Sequence, residues 1–248
     1  MSAALRLGGR LPAVVRYALL ALAGMLQAFS IAWPWGEKNA SGTLQIVTLA
    51  AALWLMTADS QIAASGADAA PASARQRFWQ GFRRGWCFTA AWLAATFWWL
   101  YVSLHVYGGL PAWLAALAVL LLAAALSLYY TLACGLWLRL RKKQGQEIGA
   151  VRQVLLFAAL WLLAELCRGV LFTGFPWGAI GYAHVDGWLA GYAPWLGVYG
   201  MSALAAGASA VVWQLLQSAK LLYLRASAGQ GAGASGRCVP WGAVAMAG

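Results

Sequence analysis

Residues 111–138 read PAWLAALAVLLLAAALSLYYTLACGLWL. The run holds no charged side chain, and Pro111 is a residue type that suits the first turn of a helix. At 1.5 Å per residue it is roughly 40 Å long as a helix, more than the ~30 Å hydrocarbon core of a bilayer. It therefore predicts a tilted transmembrane helix. A lipid interior offers no water to the backbone, so only a helix or a closed barrel satisfies its N–H and C=O groups, and this unbroken apolar run fits a helix.

The same signature recurs on both sides. Residues 17–35 are apolar except for Gln27 and Ser30, 43–58 form a short apolar run, and 85–104, 154–172 and 194–219 are further candidates. A seventh run begins near Val239, about ten residues before Gly248, too few to span. The expected fold class is an all-α integral membrane protein over 1–248: six complete transmembrane helices plus the start of a seventh. Composition agrees, with 63% hydrophobic and 9% charged residues where a soluble domain has ~45–50% and ~25%. That excludes an ordinary soluble enzyme, a disordered chain and a collagen-like fibre. Residues 64–74 and 226–236 are rich in Ala, Ser and Gly and read as linkers; no internal or inverted repeat is visible. The first run follows Arg6, Arg10 and Arg16 but ends in Trp33-Pro34-Trp35 rather than a small-residue cleavage site, so it reads as a retained helix.

Seventeen Lys and Arg against six Asp and Glu leave a net charge of +11. In a soluble protein that excess would point to nucleic acid. Here the bases lie in clusters between apolar runs, so they report topology, and no nucleic-acid partner is expected. With the N-terminus in the cytoplasm, Arg6, Arg10, Arg16, Arg75, Arg77, Arg83, Arg84, Arg139, Arg141, Lys142, Lys143, Arg152, Lys220, Arg225 and Arg237 all fall on the cytoplasmic side. Lys38 and Arg168 lie towards the other. Cys87, Cys134, Cys167 and Cys238 form no CxxC pair, so neither a disulfide nor a metal site is expected, and nothing suggests a cofactor.

Two stretches on the outer side carry the information. Phe97 to Pro111 ends one span in an aromatic cluster, then turns through Gly108-Gly109 into the next. It reads either as an interfacial aromatic belt or as a ligand site. Residues 169–200 hold eight glycines and eight aromatics, too Gly-rich for one helix and too apolar for a solvated loop. The part at 173–193 reads as a segment lying along or dipping into the outer leaflet, either a packed structural loop or the wall of a lipid groove. Glu165 and Arg168 are charges inside the fifth span, i and i+3 and so on one face. They read as a mutual ion pair or as a headgroup site. His184 and Asp186 read as solvated loop residues.

The ordered set of motifs is specific. Glu165-Leu166-Cys167-Arg168-Gly169, Phe172-Thr173-Gly174-Phe175-Pro176-Trp177, Gly181-Tyr182, Asp186-Gly187 and Ala193-Pro194 to Gly197-Val198 closely resemble the bacterial apolipoprotein N-acyltransferases. So do Trp98-Trp99-Leu100-Tyr101-Val102-Ser103, Gly108-Gly109-Leu110-Pro111 and Leu126-Ser127-Leu128-Tyr129. The resemblance covers roughly residues 15–215 in the same order. It implies a multi-pass protein of the bacterial inner membrane acting with a phospholipid acyl donor and a diacylglyceryl-apolipoprotein acceptor. In that family a nitrilase-like αββα domain follows the membrane helices, and a Glu base, a Lys and a Cys nucleophile form a thioester acyl-enzyme whose acyl group passes to the acceptor's α-amino group. That domain is absent from this sequence, so no catalytic residue is carried over, and the 248-residue chain is expected to be inactive alone. The matching lipid-handling positions are Trp99, Tyr101, Glu165, Arg168, Gly174, Phe175, Pro176 and Trp177. Tyr199-Gly200-Met201-Ser202-Ala203 has a Gly-x-Ser core, but no His follows it to serve an intramembrane serine protease, and small-residue helix contact explains it better. A multispanning transporter or channel would account for Glu165, Arg168 and the glycine-rich break, but the first, second and sixth spans carry few polar residues to line a path.

Overall fold

The computed structural model describes residues 12–32, 40–62, 72–143 and 146–234. Helix α1 is Ala13–Ile31, α2 Gly42–Ile62, α3 Ala74–Thr96 and α4 Trp98–Val102, which passes into a π turn at Ser103–Tyr107. Helix α5 is Ala112–Leu140 and α6 Ala150–Val170; between them Lys142–Lys143 (β1) pairs antiparallel with Gln146–Glu147 (β2) in a minimal hairpin. Short 3-10 turns at Leu171–Thr173, Ile180–His184 and Ala190–Tyr192 lead into α7, Ala193–Ala234. The chain divides into a unit ending at Trp213, which holds everything considered below, and a second from Gln214, whose described residues continue α7.

Local chemistry sets the boundaries. Ser73 and Gln76 form a reciprocal capping box that starts α3 at Ala74, eleven residues before the apolar run begins. The early turns of α3 thus carry Arg75, Arg77, Arg83 and Arg84 ahead of the lipid-facing part. Helix α5 begins behind Pro111, whose fixed φ suits a helix start. At Phe97 the axis bends by 49° into α4.

The all-helical membrane class holds, and of the six expected complete spans five are long and apolar enough to cross, while α2 is shorter. Among the described residues, four helical stretches are long and apolar enough to cross: Ala13–Ile31, Ala112–Leu140, Ala150–Thr173 and Ala190–Leu224. The bent pair Ala74–Thr96 with Trp98–Tyr107 makes a fifth. Among the described residues the apolar helix in α2 is Gly42–Ala58, shorter than the other spans. The expected seventh helix and Trp33 to Trp35 lie outside the described residues.

Successive helices alternate in direction. Cys87 Sγ contacts Tyr17 O at 3.3 Å, setting the start of α1 beside the middle of α3. Arg84 Nη1 donates to Met56 O at 2.6 Å, bringing the far end of α2 to the same level. Arg77 Nη2 donates to Lys142 O at 3.4 Å, so α5 ends where α3 begins. Arg77, Arg84, Arg139, Arg141 and Lys142 therefore share one end of the bundle, joined by Arg152 in the first turn of α6.

The core is a column of aromatics. Trp92 (α3) stacks on Trp161 (α6) with centroids 5.9 Å apart, and Tyr130 (α5) meets both, at 5.1 and 4.9 Å. Phe157 continues it from Trp161 at 5.6 Å to Trp137 at 5.3 Å, and Trp213 joins Trp137 at 5.1 Å. All six are buried. A cation closes each end: Arg168 over Tyr130 at 5.7 Å, and Arg141 over Trp137 and Trp213 at 5.5 and 5.2 Å. Lipid is as apolar as these rings, so their contribution comes from close packing and ring geometry rather than from escape from water.

Candidate functional site

The end of the bundle opposite the basic cluster is built from α4 and the α6–α7 connection, residues 171–192. The chain leaves α6 through consecutive left-handed residues, Phe172 (φ 53), Thr173 (φ 72) and Gly174 (φ 79). Two of these are not glycine and carry strain of about 1–3 kcal/mol each, which the surroundings must hold in place. Phe172 is 92% exposed.

Arg168 supplies much of that hold. It is buried, its backbone carbonyl accepts from Phe175 N at 2.8 Å, and its Nη1 donates to the carbonyls of Phe175 (2.7 Å) and Trp177 (2.5 Å). Glu165, fully buried one turn earlier, accepts at Oε1 from Ile180 N at 3.1 Å and from the Trp161 indole at 3.2 Å. The next backbone N–H, that of Gly181, donates to Ser202 Oγ on α7 at 2.9 Å, and Ser202 donates onward to Val198 O at 3.0 Å. Consecutive amides are thus fastened to different helices. Two glycines permit the approach. Gly178 sits at φ 78, and a Cβ there would lie 2.9 Å from Thr96 Cγ2. At Gly181 a Cβ would lie 3.0 Å from Ser202 Oγ.

The two aromatic stretches meet here. Trp99 on α4 packs edge-on against Trp177 with centroids 6.2 Å apart, and both rings stay largely exposed, 41% and 60%. Below them Phe175 turns inward onto fully buried Phe97 at 5.0 Å, and Pro176 is exposed. Tyr101 lies half-buried against His105, with centroids 5.4 Å apart, and His105 Nδ1 pairs with Leu110 O at 2.7 Å. Of the eight residues singled out in the sequence, Trp99 and Trp177 come together, and Arg168 joins Phe175 and Trp177 through their carbonyls. Glu165 lies beneath the same segment, whereas Tyr101 faces His105.

Two sequence expectations change. Glu165 and Arg168 do not pair with each other; both bind backbone of the connection instead. His184 is not solvated: it is fully buried, Nε2 pairs with Gln45 Oε1 on α2 at 2.9 Å, and burial lowers its pKa. Asp186 is exposed, as expected. Ser202, read as a small-residue contact, is a hydrogen-bond anchor. Tyr130 and Trp161 belong to the site although no motif in the sequence marks them. Trp161 stands i−4 from Glu165, a spacing that could have marked it; Tyr130 lies on another helix and carried no such signal. Among the described residues, no group of three His, Cys, Asp or Glu could hold a metal.

Residues 61–211 match the family described as apolipoprotein N-acyltransferase N-terminal domain. The chain is 50% identical over 185 residues to the apolipoprotein N-acyltransferase of Verminephrobacter eiseniae, covering 75% of this chain and 31% of that protein. It is 52% identical over 122 residues to the one from Ralstonia nicotianae, covering 49% of this chain and 23% of the relative. To the one from Bordetella bronchiseptica it is 40% identical over 217 residues, covering 85% and 37%. The chain thus spans between about a quarter and just over a third of the length of these curated relatives.

Proposed function

The chain belongs to the apolipoprotein N-acyltransferase N-terminal domain family, and on that premise we propose that it is the membrane part of an enzyme that N-acylates the lipidated N-terminal Cys of apolipoproteins, with phospholipid as acyl donor. In this reading the end of the bundle formed by α4 and the α6–α7 connection holds acyl chains. Trp99, Tyr101 and Trp177 offer apolar faces, Gly174, Phe175 and Pro176 shape the turn between them, and Glu165 and Arg168 lie beneath. The observation that carries the proposal is the Trp99–Trp177 pair: two large exposed rings held edge-on by a polar-fastened backbone, within the matched residues. Thioester chemistry on a Glu-Lys-Cys set would take place in the part of the relatives that this chain does not span.

The alternation of helix directions and the gathering of basic side chains at one end support a cytoplasmic N-terminus in a bacterial inner membrane, with Trp99 and Trp177 at the outer leaflet. In that topology α2 serves as a short crossing. A transporter reading is less well supported, because Glu165 and Arg168 bind backbone rather than line a path.

The test is a chimera in which residues 15–215 replace the corresponding part of the Verminephrobacter protein. Purified in detergent, it should transfer acyl groups from phospholipid to a diacylglyceryl peptide. The same chimera with Trp177→Ala should lose at least tenfold in rate at unchanged protein yield. An inactive but well-folded parent chimera, or a Trp177→Ala rate equal to the parent, defeats the reading.

A further inference from the structure

The fastening of the α6–α7 connection has an unexpected chemistry. Glu165 and Arg168 are 0% and 1% exposed and stand one turn apart on α6, and Nε of Arg168 is left without a partner. The indole N–H of Trp92, which stacks on Trp161, is likewise buried without a partner, while the Tyr130 hydroxyl faces Arg168. Buried charges are weak stabilisers, and apolar replacements of similar volume are often neutral. A segment that only needed anchoring would be held more cheaply by packing. Directional bonds to the carbonyls of Phe175 and Trp177 and to the amide of Ile180 instead set where the backbone on both sides of Trp177 lies.

We propose that Glu165 and Arg168 are positioning residues for Trp177: they act through the backbone of residues 175–180 to fix the orientation of that ring against Trp99, and do not themselves touch lipid. This rests on the proposed role of Trp177 as a lipid contact. Its consequence is a separation of stability from placement. Glu165→Gln keeps the Oε1-type acceptor for Ile180 N–H and Trp161, so it retains the position. Glu165→Leu combined with Arg168→Met removes the directional bonds, fills similar volume and leaves no unpaired charge; it loses some stability, because the Phe175 and Trp177 carbonyls and the Ile180 amide lose their partners, and it frees the ring.

The experiment uses the full 248-residue chain labelled with fluorotryptophan in phosphatidylcholine nanodiscs, with the Trp177 resonance assigned by its loss in Trp177→Phe. Wild type and Glu165→Gln should show the same Trp177 line, broadened when a chain-spin-labelled phosphatidylcholine is added. The double variant should shift Trp177 and reduce that broadening at least twofold, while Trp137 and Trp213, near the basic end of the aromatic column, stay in place. An unmoved Trp177 line in the double variant overturns the proposal. So does a joint shift of Trp137, Trp213 and Trp177, which would mean general loss of packing. If the double variant does not fold, Arg168→Lys decides: its single ammonium cannot reproduce the guanidinium geometry, so Trp177 should still shift, and an unchanged line overturns the proposal. A wild-type Trp177 line that the spin-labelled lipid fails to broaden removes the lipid-contact reading instead, and leaves the positioning result standing.

Discussion

The backbone N–H of Ile180 donates to the Glu165 carboxylate at 3.1 Å, joining the middle of the α6–α7 connection to a buried point on α6 fifteen residues earlier. The neighbouring Gly181 N–H turns to Ser202 on α7. A loop held by successive amides to different helices is sensitive to single acceptors, and the first prediction follows from that.

Ser202→Ala removes the acceptor for Gly181 N–H in a fully buried place and should cost about 1–3 kcal/mol, since the amide is left unsatisfied. Thermal unfolding in detergent should show a lower midpoint. A midpoint equal to wild type would mean that Gly181 N–H finds another partner.

Trp161 and Trp177 should separate core from surface. Trp161 is fully buried among Trp92, Tyr130 and Phe157, so Trp161→Ala should destabilise by about 3–5 kcal/mol. Trp177 is 60% exposed, so Trp177→Ala should change stability by about 0.5 kcal/mol or less. Comparing the two unfolding midpoints checks this; similar losses would place Trp177 in the packed core.

Gly178 and Gly191 should respond differently to alanine. Gly178 combines φ 78 with a neighbour at 2.9 Å from the would-be Cβ, whereas Gly191 has open space there. Gly178→Ala should lower stability by about 1–3 kcal/mol, and Gly191→Ala should be close to neutral. Equal effects in thermal unfolding would contradict the left-handed turn at Gly178.

His184 gives a pH dependence whose sign is set by burial. Its folded pKa lies below its ordinary value because the buried ring resists taking a charge. The unfolded chain therefore binds the proton more readily, and this contribution to stability is present above about pH 6.5 and lost as pH falls through the folded pKa. Unfolding midpoints at pH 7.5 and 5 should differ more for wild type than for His184→Gln. An equal difference in both would show that His184 contributes nothing to the slope.

How much of this was readable beforehand depends on the range of the interaction. Apolar runs and clustered bases act over one helix, so the apolar spans could be anticipated, whereas α3 starts eleven residues before its apolar run, at the Ser73–Gln76 capping box, which hydropathy does not mark. The short apolar run 43–58 was read from hydropathy as it stands in α2, Gly42–Ala58. Trp99, Arg168, Phe175 and Trp177 were visible as motif residues, whereas Tyr130, the ring under Arg168, lies on another helix and left no local pattern, and Phe97 and Ser202 were noticed without their partners Phe175 and Gly181.

Hydropathy and charge along the chain determined by themselves that this protein is a bundle of membrane helices with a glycine- and aromatic-rich break, because both depend only on each residue's own preference for lipid or water. Whether Glu165 and Arg168 would join each other or hold the backbone of 175–180, and whether His184 would meet water or Gln45, was decided only when several helices came together. In a buried site a polar group takes the partner that geometry brings within reach, and i, i+3 spacing on one helix does not say which partner that will be.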